Sequence, residues 1–254
     1  MRNPTKLAAA AVLIGCAVFT SQAQATTIGL TGGAPMKADG QTTVSTAGVR
    51  WMTWAGNQTA TNPLVPMLRL RVNLRSALTL PALSASLWAT RDEPWLNHVA
   101  PSFTAEQVAV IHAAGGRALT NQGWGMNHAN WPTARQLAAY PGDILQVDSY
   151  PTAKHPLAEI GDKVALLHSF ANGRPVWAVL QVCSRSNFAT GKPPSAAREW
   201  AMAKAAIDNG ATGIMFFGSG YQACFADAQD AATGFNWSAW RSTVLPTIRR
   251  IQAY

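Results

Sequence analysis

Acidic residues are scarce in this chain and unevenly spread. Asp and Glu together number 12 among 254 residues, and none lies between Gly40 and Arg91. Charged residues make up 13% of the sequence, well below the roughly 25% of typical soluble domains. A chain so poor in acids nevertheless places Asp92 and Glu93 side by side, shortly after the apolar run "LSASLW". Such a pair is either catalytic or part of a structural salt bridge.

Dense basic runs are absent, although the net charge is +8 and the isoelectric point is about 9.9. The Lys and Arg residues are scattered as singles and pairs. This pattern is typical of a solvated surface and not of a basic surface that binds nucleic acid. We therefore expect no nucleic-acid partner.

Metal-binding and cofactor motifs are also absent. The five histidines show no ligand spacing such as HExxH. Each is most simply a surface histidine or a hydrogen-bonded core histidine. We expect neither a metal nor a cofactor.

The first 25 residues have the organisation of a secretory signal peptide. Arg2 and Lys6 precede the apolar run "LAAAAVLIGCAVF", and "AQA" at Ala23 to Ala25 is a small-residue cleavage site. The run is short for a membrane span, which needs about 20 residues. A lipoprotein box at Cys16 is the less favoured alternative, because the apolar run continues beyond it. We expect a secreted or periplasmic mature protein.

Cysteine is scarce too, with three residues in the whole chain. Cleavage after Ala25 removes Cys16 and leaves Cys183 and Cys224. Two cysteines in an oxidising compartment are more often a disulfide than a nucleophile or a metal pair. They follow two successive predicted strands, so we expect them to form a disulfide.

Strand and helix patterns alternate from Trp88 to the end of the chain. The run "SAAREWAMAKAAIDNG", for example, predicts a helix with a cap at Ser195 and a stop at Gly210. Apolar strands that do not alternate indicate a parallel sheet covered on both faces. The strands predicted in this part are 84–90, 117–121, 143–148, 174–181 and 212–217.

The length of residues 26–254 suits a single (β/α)8 TIM-type barrel domain. Three further strands must then come from the N-terminal part, with "TTIGL", "GVRWMTW" and "MLRLRVNL" as candidates. Residues 26–85 are atypical, because helical periodicity and capping residues are poor there. We therefore expect an irregular or incomplete N-terminal half, either a poorly ordered insert or the product of a reading-frame error.

Functional groups of a parallel barrel gather at the carboxyl ends of its strands. Carboxylates, amides and aromatic rings gathered at one mouth have the composition of a sugar-binding site. The residues selected by this rule are Asp92, Glu93, Asn121, Trp124, Asp148, Tyr150, Gln181 and Tyr221.

The succession "DEP", "TN", "DILQVDSYP", "RPVWAVLQ" and "GATGIMFF" resembles the second half of bacterial (β/α)8 glycoside hydrolases and hydrolase-like proteins. The resemblance covers about two thirds of the mature chain. It implies that Glu93 is the catalytic acid/base, that Asp148 and Tyr150 form the wall of the site, and that Gln181 contacts a sugar hydroxyl.

One departure from this pattern leaves two functional hypotheses open. Many barrel glycosidases carry a nucleophilic Glu where this chain has Gln181, and a neutral amide cannot form a glycosyl ester. Asp148 or Glu199 could supply a second carboxylate, although we expect Glu199, inside a helix, to pair with a basic group. The leading hypothesis is an exported glycoside hydrolase, and the alternative is a non-catalytic carbohydrate-binding barrel. The oligomeric state is left open.

Overall fold

The structure is a computed structural model. It describes residues 26–33, 43, 45–49, 51–54, 65–69, 87–123, 131–149, 156–182, 194–217 and 237–254.

Eight strands form one parallel sheet. Each strand pairs with the next along the chain, and β8 pairs with β1, so the sheet curls round on itself. The strands are β1 (Thr27–Gly33), β2 (Trp51–Trp54), β3 (Val65–Arg69), β4 (Leu87–Ala89), β5 (Arg117–Asn121), β6 (Ile144–Ser149), β7 (Val176–Gln181) and β8 (Gly213–Phe217).

Helices follow the strands from β4 onward. Two of them begin where the sequence supplies a cap. The Thr133 side chain accepts a hydrogen bond from the backbone of Gln136, and the Ser195 side chain accepts one from Arg198. The helices are α1 (Pro101–Ala113), α2 (Ala134–Ala138), α3 (Glu159–Phe170), α4 (Ala196–Asp208), α5 (Trp237–Ala239) and α6 (Leu245–Ala253), with a π-helical turn (Trp240–Val244) between the last two.

Two apolar layers stabilise the sheet. The outer face of the strands packs against the helices, with Val147, Leu180 and Phe216 fully buried in that layer. A smaller cluster fills the interior of the sheet, and it includes Ile144 and Val179. Side chains alternate between these two layers along each strand, as the period of a β-strand requires.

The described elements agree with the predicted order of strands and helices. The three N-terminal strands fall within or overlap the segments expected to supply them, and α4 ends before Gly210, whose φ of +99° is a left-handed conformation that glycine accommodates. The fold is thus a parallel, TIM-barrel-like α/β fold. Much of the segment 26–85 lies outside the described residues, including the connections that join the first four strands.

Candidate active site

Five predicted site residues lie at the carboxyl ends of four neighbouring strands. Because these ends share one edge of a parallel sheet, their side chains gather at one mouth. The residues are Asp92 and Glu93 after β4, Asn121 at the end of β5, Asp148 in β6 and Gln181 at the end of β7.

Asp148 and Gln181 point toward the interior of the sheet. Ile144 and Val179 belong to the interior apolar cluster, and side chains at even spacing along a strand share a face. Asp148 and Gln181 stand at even spacing from these two residues and therefore line the same interior. Both are buried.

Glu93 is held in an unusual backbone conformation. Its φ of +47° lies in the left-handed region, which non-glycine residues adopt only when surrounding structure enforces it. The Asn97 backbone N–H donates to the Glu93 carbonyl at 2.9 Å, and the Asn97 side chain donates to the Asp92 carbonyl at 3.0 Å. The turn after β4 is thereby closed, and the Glu93 side chain is directed toward β6.

The carboxyl groups of Glu93 and Asp148 approach each other beside Gly123, where Oε1 of Glu93 and Oδ1 of Asp148 lie against the same point. Two ionised carboxylates this close would repel each other, so protonation of one of them is favoured. Burial, the charge of Asp148 and the charge of Asp92 raise the pKa of Glu93 from 4.5 to about 7. Glu93 therefore holds a proton at mildly acidic pH.

Asp92 has a different environment from Glu93. Its Oδ1 accepts a hydrogen bond of 2.9 Å from the amide of Asn121. The two adjacent acids are thus separated: Asn121 holds Asp92 across the gap between β4 and β5, while Glu93 faces Asp148. Asp92 and Asn121 shape the electrostatics of the site through this contact.

Gly123 is a site residue that sequence reasoning missed. A Cβ at this position would overlap Oε1 of Glu93 and Oδ1 of Asp148 and would lie 2.6 Å from Cγ of Glu93. The backbone after β5 therefore passes against both carboxyl groups, and only glycine leaves room for them. The sequence feature that could have pointed to Gly123 is a glycine two residues after the end of β5, in "NQGW".

Lys163 and Glu159 were also missed. They are 1% exposed and form an ion pair of 3.7 Å in the first turns of α3. Lys163 Nζ also donates to the backbone carbonyl of Asp148 at 3.2 Å. A Glu and a Lys four residues apart on a helix usually form a surface pair, so the sequence carried no sign of their burial.

The Gln181 side chain is fully buried. Neither its amide nitrogen nor its amide oxygen has a hydrogen-bond partner among the described residues. Burying an amide without hydrogen-bond partners lowers the stability of the fold. This position therefore suits a polar ligand or a bound water that would hydrogen-bond to the amide. Being neutral, Gln181 cannot serve as the nucleophile that many barrel glycosidases place there.

Glu199 does not fulfil the expected pairing with a basic group. It is fully buried in α4, and neither carboxyl oxygen has a hydrogen-bond partner among the described residues. Burial alone raises its pKa well above the ordinary value. The side chain is therefore a neutral acid in the wall of the fold, because an unpaired buried charge would be far more costly.

The other predicted site residues lie outside the described residues. These are Trp124, Tyr150 and Tyr221, together with the cysteines of the predicted disulfide, Cys183 and Cys224.

The described part of the chain also bears on metal binding and on membrane insertion. No three His, Cys, Asp or Glu side chains there are grouped so that they could hold a metal ion. No helix in the same ranges combines the length and the apolarity needed to cross a membrane.

Comparison with known proteins supports the fold. No family model and no curated protein matches the sequence. The carboxyl transferase domain from Rhizobium etli pyruvate carboxylase with oxamate and biotin matches with a TM-score of 0.50 and 13% identity, over 91% of this chain and 47% of that chain. The same domain with pyruvate matches with a TM-score of 0.50 and 12% identity, over 90% and 48%.

Bee venom hyaluronidase matches with a TM-score of 0.44 and 15% identity, over 58% of this chain and 54% of that chain. The chain thus spans about half the length of the solved chains it matches. At 12–13% identity the likeness to the carboxyl transferase domain shows a TIM-barrel-like fold alone, since this fold serves many unrelated functions.

The geometry limits what the two carboxyl groups can do. Retaining glycosidases separate their carboxyl groups by about 5–5.5 Å and inverting ones by about 6.5–9.5 Å. Oε1 of Glu93 and Oδ1 of Asp148 both lie against the position that a Cβ at Gly123 would occupy, so the facing oxygens are closer together than either spacing. The pair as arranged can donate one proton and present one negative charge, both at the same point of the mouth.

Proposed function

We propose that this protein is an exported glycoside hydrolase in which Glu93 is the general acid. The observation that carries the proposal is the convergence of the Glu93 and Asp148 carboxyl groups at the mouth beside Gly123, with the pKa of Glu93 raised to about 7. General acids work best when their pKa lies near the working pH, because they must hold a proton and still release it. A surface salt bridge would have lowered the pKa of the carboxyl instead.

In this mechanism Glu93 donates its proton to the glycosidic oxygen as the bond to the anomeric carbon breaks. Positive charge then develops on the sugar ring, and the negative charge of Asp148 stabilises it. Water then adds to the anomeric carbon and returns a proton to the Glu93 carboxylate, while Asp148, close beside Glu93, stabilises the charge without forming a bond to the sugar. Asn121 and Gln181 supply amide groups for hydroxyls, and Trp124, Tyr150 and Tyr221 supply rings for stacking.

A non-catalytic carbohydrate-binding barrel is the second candidate function. The neutral amide of Gln181 at the end of β7 favours it, because no carboxylate stands at the usual nucleophile position. The close approach of the two carboxyl groups beside Gly123 favours it too, because it leaves little room between them for a water or a sugar. On this alternative, the amides and aromatic rings of the mouth bind glycans without cleaving them.

A polysaccharide-release screen on the mature protein tests the proposal, with Glu93→Gln alongside. Glutamine keeps the shape of the side chain and removes the proton, so hydrolysis should fall about 10²–10⁴-fold while glycan binding survives. Asp162→Asn is the matched control, because Asp162 is an exposed acid on α3. Full activity of Glu93→Gln on a substrate that the wild type cleaves overturns the assignment. Glycan binding without cleavage by the wild type selects the second candidate.

The complete architecture and the export of the chain belong to the same proposal. We propose a full (β/α)8 barrel over residues 26–254, preceded by a signal peptide that is cleaved after Ala25. N-terminal sequencing of the exported protein should begin at Thr26. A start at Met1, or a lipid on Cys16, contradicts the cleavage.

A disulfide between Cys183 and Cys224 completes this proposal. Both residues follow the ends of neighbouring strands, β7 and β8, so their loops leave the same face of the sheet. Closing the loop between them would stabilise the fold by roughly 3–4 kcal/mol in the chain-entropy model. The unreduced protein should show no free thiol by titration, and two free thiols would refute the bond.

A further inference from the structure

Lys163 is a buried cation that lies behind the candidate active site. It extends from the outer layer of helices toward the mouth, and its side chain is 1% exposed. The amine lies 6.0 Å from the centroid of the Trp131 ring. Burial lowers the pKa of Lys163, so the fold tolerates this ammonium only because negative groups surround it.

The contacts of Lys163 join α3 to the end of β6. Its ammonium donates to the Asp148 carbonyl at 3.2 Å and pairs with the Glu159 carboxylate at 3.7 Å. Ser149, the next residue of β6, donates to the same carboxylate at 3.5 Å. Lys163 is thereby fixed beside the backbone of Asp148, on the side away from the interior of the sheet.

The charge of Lys163 acts more strongly on Asp148 than on Glu93. Among the charges that favour the ammonium, Asp148 is the largest, followed by Glu159 and then Glu93. The Coulomb energy between two charges is the same viewed from either partner. Lys163 therefore favours the ionised form of Asp148 first and that of Glu93 last.

We propose that Lys163 is a positioning residue that acts through Asp148 to keep the shared proton of the pair on Glu93. The inference rests on the proposed function for its role in catalysis, but the location of the proton is a property of the resting protein. Among the described residues, Asp148, Asp92 and Lys163 are the charges that act on Glu93, and Glu159 acts on Lys163. Asp92 repels negative charge from Glu93, and Lys163 attracts it to Asp148. Both effects direct the proton to the same carboxyl.

Carboxyl ¹³C NMR titration of the full mature chain tests the inference without any substrate. In the wild type, the Glu93 carboxyl should stay protonated at pH 6 while the Asp148 carboxyl is ionised. In Lys163→Met, the first ionisation of the pair should move to higher pH by roughly 1 unit, and the two ionisations should lie closer together. Lys163→Arg should restore the wild-type order, because it retains the positive charge.

Lys204→Met is the matched control, since Lys204 forms the same i,i+4 pair with Asp208 on an exposed face of α4. It should leave both carboxyl signals unchanged. A folded Lys163→Met with a wild-type titration overturns the inference and leaves Lys163 a purely structural role. If Lys163→Met does not fold, the titration of the wild type remains a test. A proton found on Asp148 instead of Glu93 at pH 6 in the wild type also overturns the inference. A protein that titrates as expected but cleaves no glycan contradicts the proposed function alone.

Discussion

The amide of Asn121 donates a hydrogen bond of 2.9 Å to Oδ1 of Asp92. This contact separates two acids that are adjacent in the sequence. Asp92 is hydrogen-bonded to the end of β5, whereas Glu93, in a left-handed backbone conformation, faces Asp148 on β6 beside Gly123. Asp92 therefore acts on Glu93 by its charge, and Glu93 is the carboxyl that presents a proton.

Replacing Asp92 by Asn tests this division of roles. The Asp92 charge raises the pKa of Glu93, so its removal should move the alkaline limb of the activity–pH profile to lower pH, by roughly half a unit. An asparagine at position 92 can still accept the hydrogen bond from Asn121. Asp162→Asn should leave the profile in place. An alkaline limb that stays where it was would show that Asp92 does not influence Glu93.

Glu93→Gln should make the protein more stable at neutral pH. The pKa of Glu93 is raised from 4.5 to about 7, so the folded state binds the proton more tightly than the unfolded state. The wild type therefore loses stability as the pH rises from about 4.5 to 7, and glutamine does not titrate. We expect a gain of about 1–3 kcal/mol at pH 8, reduced by solvent screening, and almost none at pH 4. Urea unfolding at both values measures it, and an equal effect at both would contradict the raised pKa.

Gly123→Ala should disable the site by crowding it. The added methyl group would overlap the carboxyl oxygens of Glu93 and Asp148, so the pair must separate or the backbone must shift. We expect a loss of activity of about 10²-fold and a stability cost of about 1–3 kcal/mol.

Gly115→Ala provides the comparison for this variant. Gly115 has a φ of +76° and no atoms near the position of a Cβ, so alanine there should cost about 1–2 kcal/mol from conformation alone and leave activity intact. Gly123→Ala with wild-type turnover would show that the close approach is unimportant.

Glu199→Gln should stabilise the protein increasingly as the pH rises. Burial raises the pKa of Glu199 well above its ordinary value, so the folded wild type holds a proton that the unfolded chain releases above about pH 4.5. Each further pH unit then costs the wild type up to about 1.4 kcal/mol. Unfolding of both proteins in urea between pH 5 and 8 measures this difference.

Glu106→Gln, at an exposed position of α1, should show no such trend. A Glu199→Gln variant that is less stable than the wild type at every pH would instead indicate a paired, ionised Glu199.

Local patterns in the sequence determined much of the fold. The cap at Ser195 and the glycine at Gly210 bound α4 as expected, because capping and left-handed glycine are properties of neighbouring residues. Strands β5 to β8 lie within one or two residues of their predicted bounds. The same repeat indicated a parallel sheet, and the rule for strand ends then selected Glu93, Asn121 and Asp148 for one mouth.

Tertiary structure alone decided how those residues interact. The sequence left Glu93 and Asp148 as two carboxylates at an unknown spacing, and their close approach depends on the turn after β4 and the register of β4, β5 and β6. The burial of Lys163 and Glu159, and the lack of any partner for Glu199 among the described residues, are equally non-local. Whether a charge is paired, exposed or buried depends on distant segments packed against it, and no spacing along one segment encodes that.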